Sequence, residues 1–240
     1  MNMIAIALVT MVAGFVQTVT GFGAGIVNML ILPLFLGINV SAGISGMVTL
    51  FLNIALVYHY RKYINYPKII LPIIITMIMS TIAIKIAVIL PVNTLKLIFS
   101  ILIIILAIYF NFFNGIKLKD NLIMMIICSM IAGVGNGLFG ISGPPMVLYY
   151  LSACKEKEEY LGTIQTFFLI TGLYASLMRL MSGIITMDLL PLIFIGIITC
   201  LIGKKIGTVF VDKISDEKMR KLIYVFLGIV GIIKLLECIL

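Results

Sequence analysis

Two glycine-rich interruptions hold the residues of this 240-residue chain best suited to chemistry: Thr20-Gly21-Phe22-Gly23-Ala24-Gly25 and Phe139-Gly140-Ile141-Ser142-Gly143-Pro144-Pro145. Each breaks a hydrophobic run in mid-course, and each follows an amide, Gln17 before the first and Asn136 before the second. A helix restarting after such a break presents unpaired backbone N–H groups at its N-terminus, where the macrodipole amounts to about half a positive charge. An oxyanion is the natural guest there. The side chains around the breaks are neutral donors: Gln17, Thr18, Thr20 and Asn28 in the first copy, Asn136 and Ser142 in the second, with Gln165 and Thr166 on a later run. Neither segment contains Asp, Glu, Lys or Arg, and the first acidic residue of the chain is Asp120. Without a carboxylate to hold a cation or repel an anion, the expected partner is a small anionic substrate. The candidate binding residues are Gln17, Thr20, Gly21, Gly23, Ala24, Gly25, Asn136, Gly140, Ser142, Gly143 and Gln165. The competing reading is structural, because the small-xxx-small spacings Gly21/Gly25 and Gly133/Gly137 also make helix-packing seams.

The two interruptions belong to a longer repeat. Gly14 falls on Gly133, Gln17 on Asn136, Gly21 on Gly140 and Gly23-Ala24 on Ser142-Gly143, all at an offset of 119 residues, and the register continues to Leu71-Pro72 on Leu190-Pro191 and Lys85 on Lys204. The repeating unit is therefore about half the chain, with one copy over 1–116 and the other over 117–240.

The elements that must position these residues are membrane helices. At 62% hydrophobic and 11% charged residues, with a mean hydropathy of +1.27, the chain is far more apolar than a water-soluble domain at ~45–50%. No charged residue precedes Arg61, so the N-terminus lacks the basic start of a cleavable signal and is expected to remain as the first membrane segment. Glycine and polar breaks divide the chain into ten hydrophobic runs, near 3–20, 24–37, 40–60, 67–90, 95–113, 121–139, 144–154, 160–181, 188–210 and 218–239. The second and seventh are short for the ~20 residues of a crossing, so each half opens with either a re-entrant helical hairpin or a kinked pair that crosses twice. Placing the loops of Arg61/Lys62/Lys68, Lys117/Lys119, Lys155/Lys157 and the 204–221 cluster in the cytoplasm puts 13 of the 17 Lys and Arg inside and both termini outside. An odd number of elements per half turns the second copy over. The expected fold is an all-α integral membrane protein of two inverted repeats, about five helical elements each, forming one transport domain.

Other candidate residues read as structural. His59, the only histidine, stands among Tyr58, Tyr60 and Arg61 as an interfacial anchor. Arg179, although able to attract an anion, is assigned to snorkelling at the outer boundary. The net charge of +8 sits at the ends of apolar runs, which argues for topology rather than nucleic-acid binding. Cys128, Cys154, Cys200 and Cys238 lack metal-ligand spacing and read as packed or lipid-facing thiols, so neither a metal nor another cofactor is expected. There is no GxSxG, HExxH or P-loop lysine, and Ser142 has no histidine in its half to activate it, so the reading is not an enzyme.

At its two breaks the sequence resembles the TauE/SafE family of sulfite exporters and sulfonate permeases, in the segments GFGAGIVNMLILP and GLFGISGPPMVL, and the resemblance extends over nearly the whole chain. It implies a secondary transporter that moves sulfite, an organosulfonate or a related small anion across the plasma (inner) membrane without ATP. SGPP replaces the family's more usual run of glycines in the second copy and removes two N–H donors. A passive anion channel and a membrane protein with purely structural glycines are the alternatives. A homo-oligomer is compatible with the sequence.

Overall fold

The computed structural model describes residues 2–112 and 120–210. Among them the chain is helical and contains no strand: α1 (Asn2–Thr20), α2 (Ala24–Ile31), α3 (Ile38–Tyr60), α4 (Pro67–Ile89), α5 (Val92–Phe112), α6 (Leu122–Phe139), α7 (Gly143–Ala153), α8 (Lys157–Met181) and α9 (Leu190–Phe210). The hydrophobic run at 218–239, Cys238, the boundary at 116/117, and Lys117, Lys119, Lys213, Lys218, Arg220, Lys221 and Lys234 lie outside the described residues. Among the described residues six helices, α1, α3, α4, α6, α8 and α9, are long and apolar enough to cross a membrane.

The offset of 119 residues carries over to the helices. α2 and α7 start at Ala24 and Gly143, and α3 and α8 start at Ile38 and Lys157. Local signals set these boundaries: Asn121 caps α6 by accepting the Met124 N–H at 2.9 Å, and Pro67 opens α4, where its missing N–H is no loss.

Glycine seams hold the long helices together across the halves. On α1, Gly14 lies against the Cys200 carbonyl, while Gly203 and Gly207 of α9 lie against the backbone at Met11 and Phe15. A Cβ at Gly203 would come within 1.9 Å of the Met11 oxygen, so only glycine permits this approach. Residue numbers rise together along the contact, so α1 and α9 are parallel. The corresponding pair behaves alike: Thr76 donates to the Ser129 carbonyl and Ser80 to the Gly133 carbonyl, each at 3.1 Å, and Gly137 faces Ala83, so α4 and α6 are also parallel. Gly133 and Gly137 are packing residues, as the structural reading of their spacing requires, and Gly14 is another. α3 and α8 run antiparallel, with Gly46 beside Ser176 and Arg179 at one end and Gly162 against the Tyr60 carbonyl at the other.

α2 has 8 residues and α7 has 11, or ~12 and ~16 Å at ~1.5 Å per residue, against a ~30 Å hydrocarbon core. Neither spans it. Gly196 on α9 touches both Ile6 and Val48, and Gln17 bonds Asn53, so α1 and α3 run the same way and α2 is the short return between them. In the second half α7 returns to the end where α4 begins, marked by the Tyr150 hydroxyl donating to the Lys68 carbonyl at 3.2 Å. The basic loops gather at that same end of the bundle: Lys68 pairs with Glu159 at 2.9 Å, and Lys62, Lys157 and Lys204 surround one depression with His59. Cys128, Cys154 and Cys200 are buried, free thiols packed among helices.

Candidate functional site

The two breaks meet inside the bundle. A Cβ on Gly25 would stand 2.8 Å from the Gly140 carbonyl oxygen, and one on Gly143 would be 3.5 Å from the Phe22 ring. Each break turns on a left-handed glycine at the matched position, φ +79° at Gly21 and +69° at Gly140. The first break needs a second one, Gly23 at φ +106°, whereas Ser142 at the equivalent position has φ −108°, a conformation open to any residue. That difference explains why serine stands in for glycine there.

Between the breaks lies a small cavity of ≈ 50 Å³, several times the ~10–15 Å³ one water needs. Gln17, Gly23, Gly25 and Ile26 line it from the first break, and Asn136, Gly140, Ile141, Ser142 and Gly143 from the second. α3 contributes Gly46, Thr49 and Asn53, and α8 contributes Phe168, Gly172 and Arg179. Most lining residues fall into repeat-related pairs: Gln17 with Asn136, Gly23 with Ser142, Thr49 with Phe168, Asn53 with Gly172. Among the described residues the lining contains no Asp, Glu or His.

Seven of the eleven candidate residues line this cavity: Gln17, Gly23, Gly25, Asn136, Gly140, Ser142 and Gly143. The other four stand behind or beside it. Gln165 donates to the Gly21 carbonyl at 2.6 Å and accepts from Gln17 Nε2 at 3.2 Å. Gln17 also donates to Asn53 Oδ1 at 2.6 Å and accepts the Ala24 N–H at 3.3 Å, so one amide bonds α2, α3 and α8. Thr20 is turned to its own backbone, donating to the Val16 and Phe22 carbonyls at 2.9 and 2.6 Å, and it borders a separate depression near Lys155 and Tyr160. On the other side Asn136 Nδ2 donates to Ser80 Oγ at 3.3 Å and to the Thr171 carbonyl at 3.4 Å.

Arg179 corrects the sequence-based assignment. It does not snorkel to the outer boundary: it is 2% exposed and lines the cavity. Its Nη2 donates to the Asn136 carbonyl, which also accepts the Gly140 N–H, and, at 3.0 Å, to the Gly137 carbonyl, an acceptor left free where α6 ends. Among the described residues no carboxylate pairs with it and the rest of the guanidinium makes no hydrogen bond to protein. Gly46 of α3 packs beside it: a Cβ there would lie 3.3 Å from Ser176 Oγ and in ordinary contact, at 3.7 Å, with Arg179 Nη1. The available signal was an arginine inside an apolar run with no acidic neighbour, which in a membrane segment marks a functional position by default. Asn53 and Thr49 carried no comparable signal on α3.

The arrangement supplies one fixed positive charge, amides, a serine hydroxyl with no protein partner among the described residues, and the first N–H groups of α2. Val27 is the first residue of α2 to donate within the helix, to Gly23, so the Gly25 and Ile26 N–H groups have no intrahelical acceptor. α7 offers fewer, because Pro144 and Pro145 carry none. Such a set has the chemistry to bind and orient a small oxyanion.

A family model described as Sulfite exporter TauE/SafE matches residues 6–233, nearly the whole chain. No curated protein and no solved structure shows a significant match. The chain belongs to the TauE/SafE family of membrane transporters.

Proposed function

We propose that this TauE/SafE member is a secondary transporter that binds a small sulfur-containing anion, such as sulfite or an organosulfonate, in the cavity between the breaks and exposes it alternately to the two sides. The observation that carries the reading is Arg179, a buried cation without a carboxylate partner among the described residues, in a cavity where two broken helices meet. Burying an unpaired charge costs several kcal/mol, so a partner is expected when the site is in use. The binding set is Gln17, Gly23, Gly25, Asn136, Gly140, Ser142 and Gly143 with Arg179 and Asn53 added, while Thr20, Gly21, Ala24 and Gln165 hold the backbone of the first break.

The halves, 1–116 and 117–240, are read as inverted repeats of one transport domain. The antiparallel course of the equivalent helices α3 and α8 supports the inversion, and inverted halves are the common basis of alternating access. The end that gathers Lys62, Lys68, Lys157 and Lys204 is read as cytoplasmic by the positive-inside rule, in the plasma membrane with both termini external. The test is flux. Liposomes containing the purified protein are expected to exchange radiolabelled sulfite saturably and to lose that activity when Arg179 is replaced by leucine. A failure of every small anion tested to move would reject the reading.

A further inference from the structure

We infer that transport by this protein is obligatory exchange of monovalent anions, in which the cavity closes and reopens only when loaded. The inference rests on the central cavity being the substrate site and adds how movement is coupled there.

The argument is one of charge. Gln17, Asn53, Asn136, Ser142 and Arg179 are all at most 9% exposed, so the polar lining lies inside the bundle. The cavity has room for a few waters or one small anion. Closed over an empty site, it would enclose the whole charge of Arg179 with two carbonyl dipoles and a little water to offset it. Filled by a monovalent anion, it is neutral. The closed form, through which any alternating-access cycle must pass, is therefore disfavoured when empty relative to loaded. Each ~1.4 kcal/mol of that penalty slows the return of the empty carrier about ten-fold. A dianion fares worse than a monoanion, since it leaves the closed cavity with a net negative charge.

Among the described residues the lining offers no other coupling partner: it has no Asp, Glu or His to carry a proton and no carboxylate to hold a cation. The counter-anion is what remains to bring the loaded site back.

Liposomes containing the full chain, with membrane potential clamped by potassium and valinomycin, separate the possibilities. Influx of radiolabelled sulfite is compared in vesicles loaded with unlabelled methanesulfonate, a permanent monoanion, with sulfate, or with gluconate, which is too large for the cavity. Influx is expected to be at least roughly ten-fold faster with internal methanesulfonate than with gluconate, and sulfate is expected not to replace methanesulfonate. Equal, saturable influx in the methanesulfonate and gluconate vesicles overturns the exchange inference and leaves transport standing. Full support by sulfate overturns the single-charge argument. No influx in any vesicle rejects the transporter reading itself. Arg179→Lys keeps the charge and is expected to remain dependent on internal anion. Arg179→Gln is expected to lose that dependence along with much of its affinity; residual flux that stays fully exchange-dependent removes Arg179 from the account.

Discussion

The two breaks share a sequence pattern and differ in how their exposed backbone is satisfied. At the first, α8 reaches over with the neutral amide of Gln165, which donates to the Gly21 carbonyl, and the restarting helix keeps free N–H groups at Gly25 and Ile26. At the second, α8 reaches over with the guanidinium of Arg179, which donates to the Asn136 and Gly137 carbonyls, and two prolines remove the donors of the restarting helix. Gln165 and Arg179 lie 14 residues apart on α8, nearly four turns and hence the same face. By the offset of 119 their counterparts on α3 are Gly46 and Tyr60. One helix thus supports both breaks, while at the position equivalent to Gln165 its counterpart has only Gly46, which packs beside Ser176 and Arg179. Duplication provides two helix ends facing one cavity; divergence gives that cavity a single positive charge on one side and backbone donors on the other. A strictly symmetric site would have carried two charges or none.

That comparison is most severely broken by removing the charge. Arg179→Leu is expected to abolish saturable anion flux and to destabilise the fold by roughly 1–3 kcal/mol for the Gly137 carbonyl left without a donor; flux assays and thermal unfolding in detergent report the two effects separately. The next largest effect is expected at Gly23. Gly23→Ala forces a Cβ into φ +106°, at ~1–2 kcal/mol, and lowers the melting temperature, whereas Ser142→Ala at the matched position leaves it nearly unchanged and weakens anion affinity instead. Equal loss of stability in both variants would contradict the difference in backbone geometry.

Gln165→Leu comes third. It strips the Gly21 carbonyl of its donor and loosens Gln17, for ~1–3 kcal/mol of stability, and anion selectivity is expected to survive because no charge has changed. The smallest effect is expected from Pro144→Ala, which returns one N–H to the start of α7 and makes the two breaks more alike. Affinity for sulfite, read by thermal stabilisation, is expected to rise by less than about ten-fold, or ~1.4 kcal/mol.

Much of this architecture is legible in the sequence, because hydrophobic run length and glycine breaks are local properties. The edges of α4, α6 and α7 fall within one residue of the runs at 67–90, 121–139 and 144–154, whereas α2 ends six residues before the run at 24–37 does, and the offset of 119 predicts which helix corresponds to which. The role of the glycines is only partly legible: Gly133 and Gly21 look alike in one dimension, yet the first meets Met79 and Thr76 across a helix seam while the second turns the chain at positive φ. For Arg179 the sequence shows a charge inside an apolar run but not its burial or its partners, because these depend on α8 crossing the end of α6, two segments far apart in sequence. Asn53 joins the site in the same way, through its bond to Gln17.

The central claim, that the cavity between the breaks is an anion site charged by Arg179, is tested most directly by thermal unfolding of the detergent-solubilised protein across a sulfite series, in parallel with Arg179→Gln. A ligand that binds only the folded state stabilises it by RT ln(1 + [L]/Kd), ~2.7 kcal/mol at a hundred-fold excess over Kd. The native chain is expected to show a saturable rise in melting temperature that the variant lacks at the same concentrations. An equal rise in both proteins, or none in the native chain, would contradict the claim.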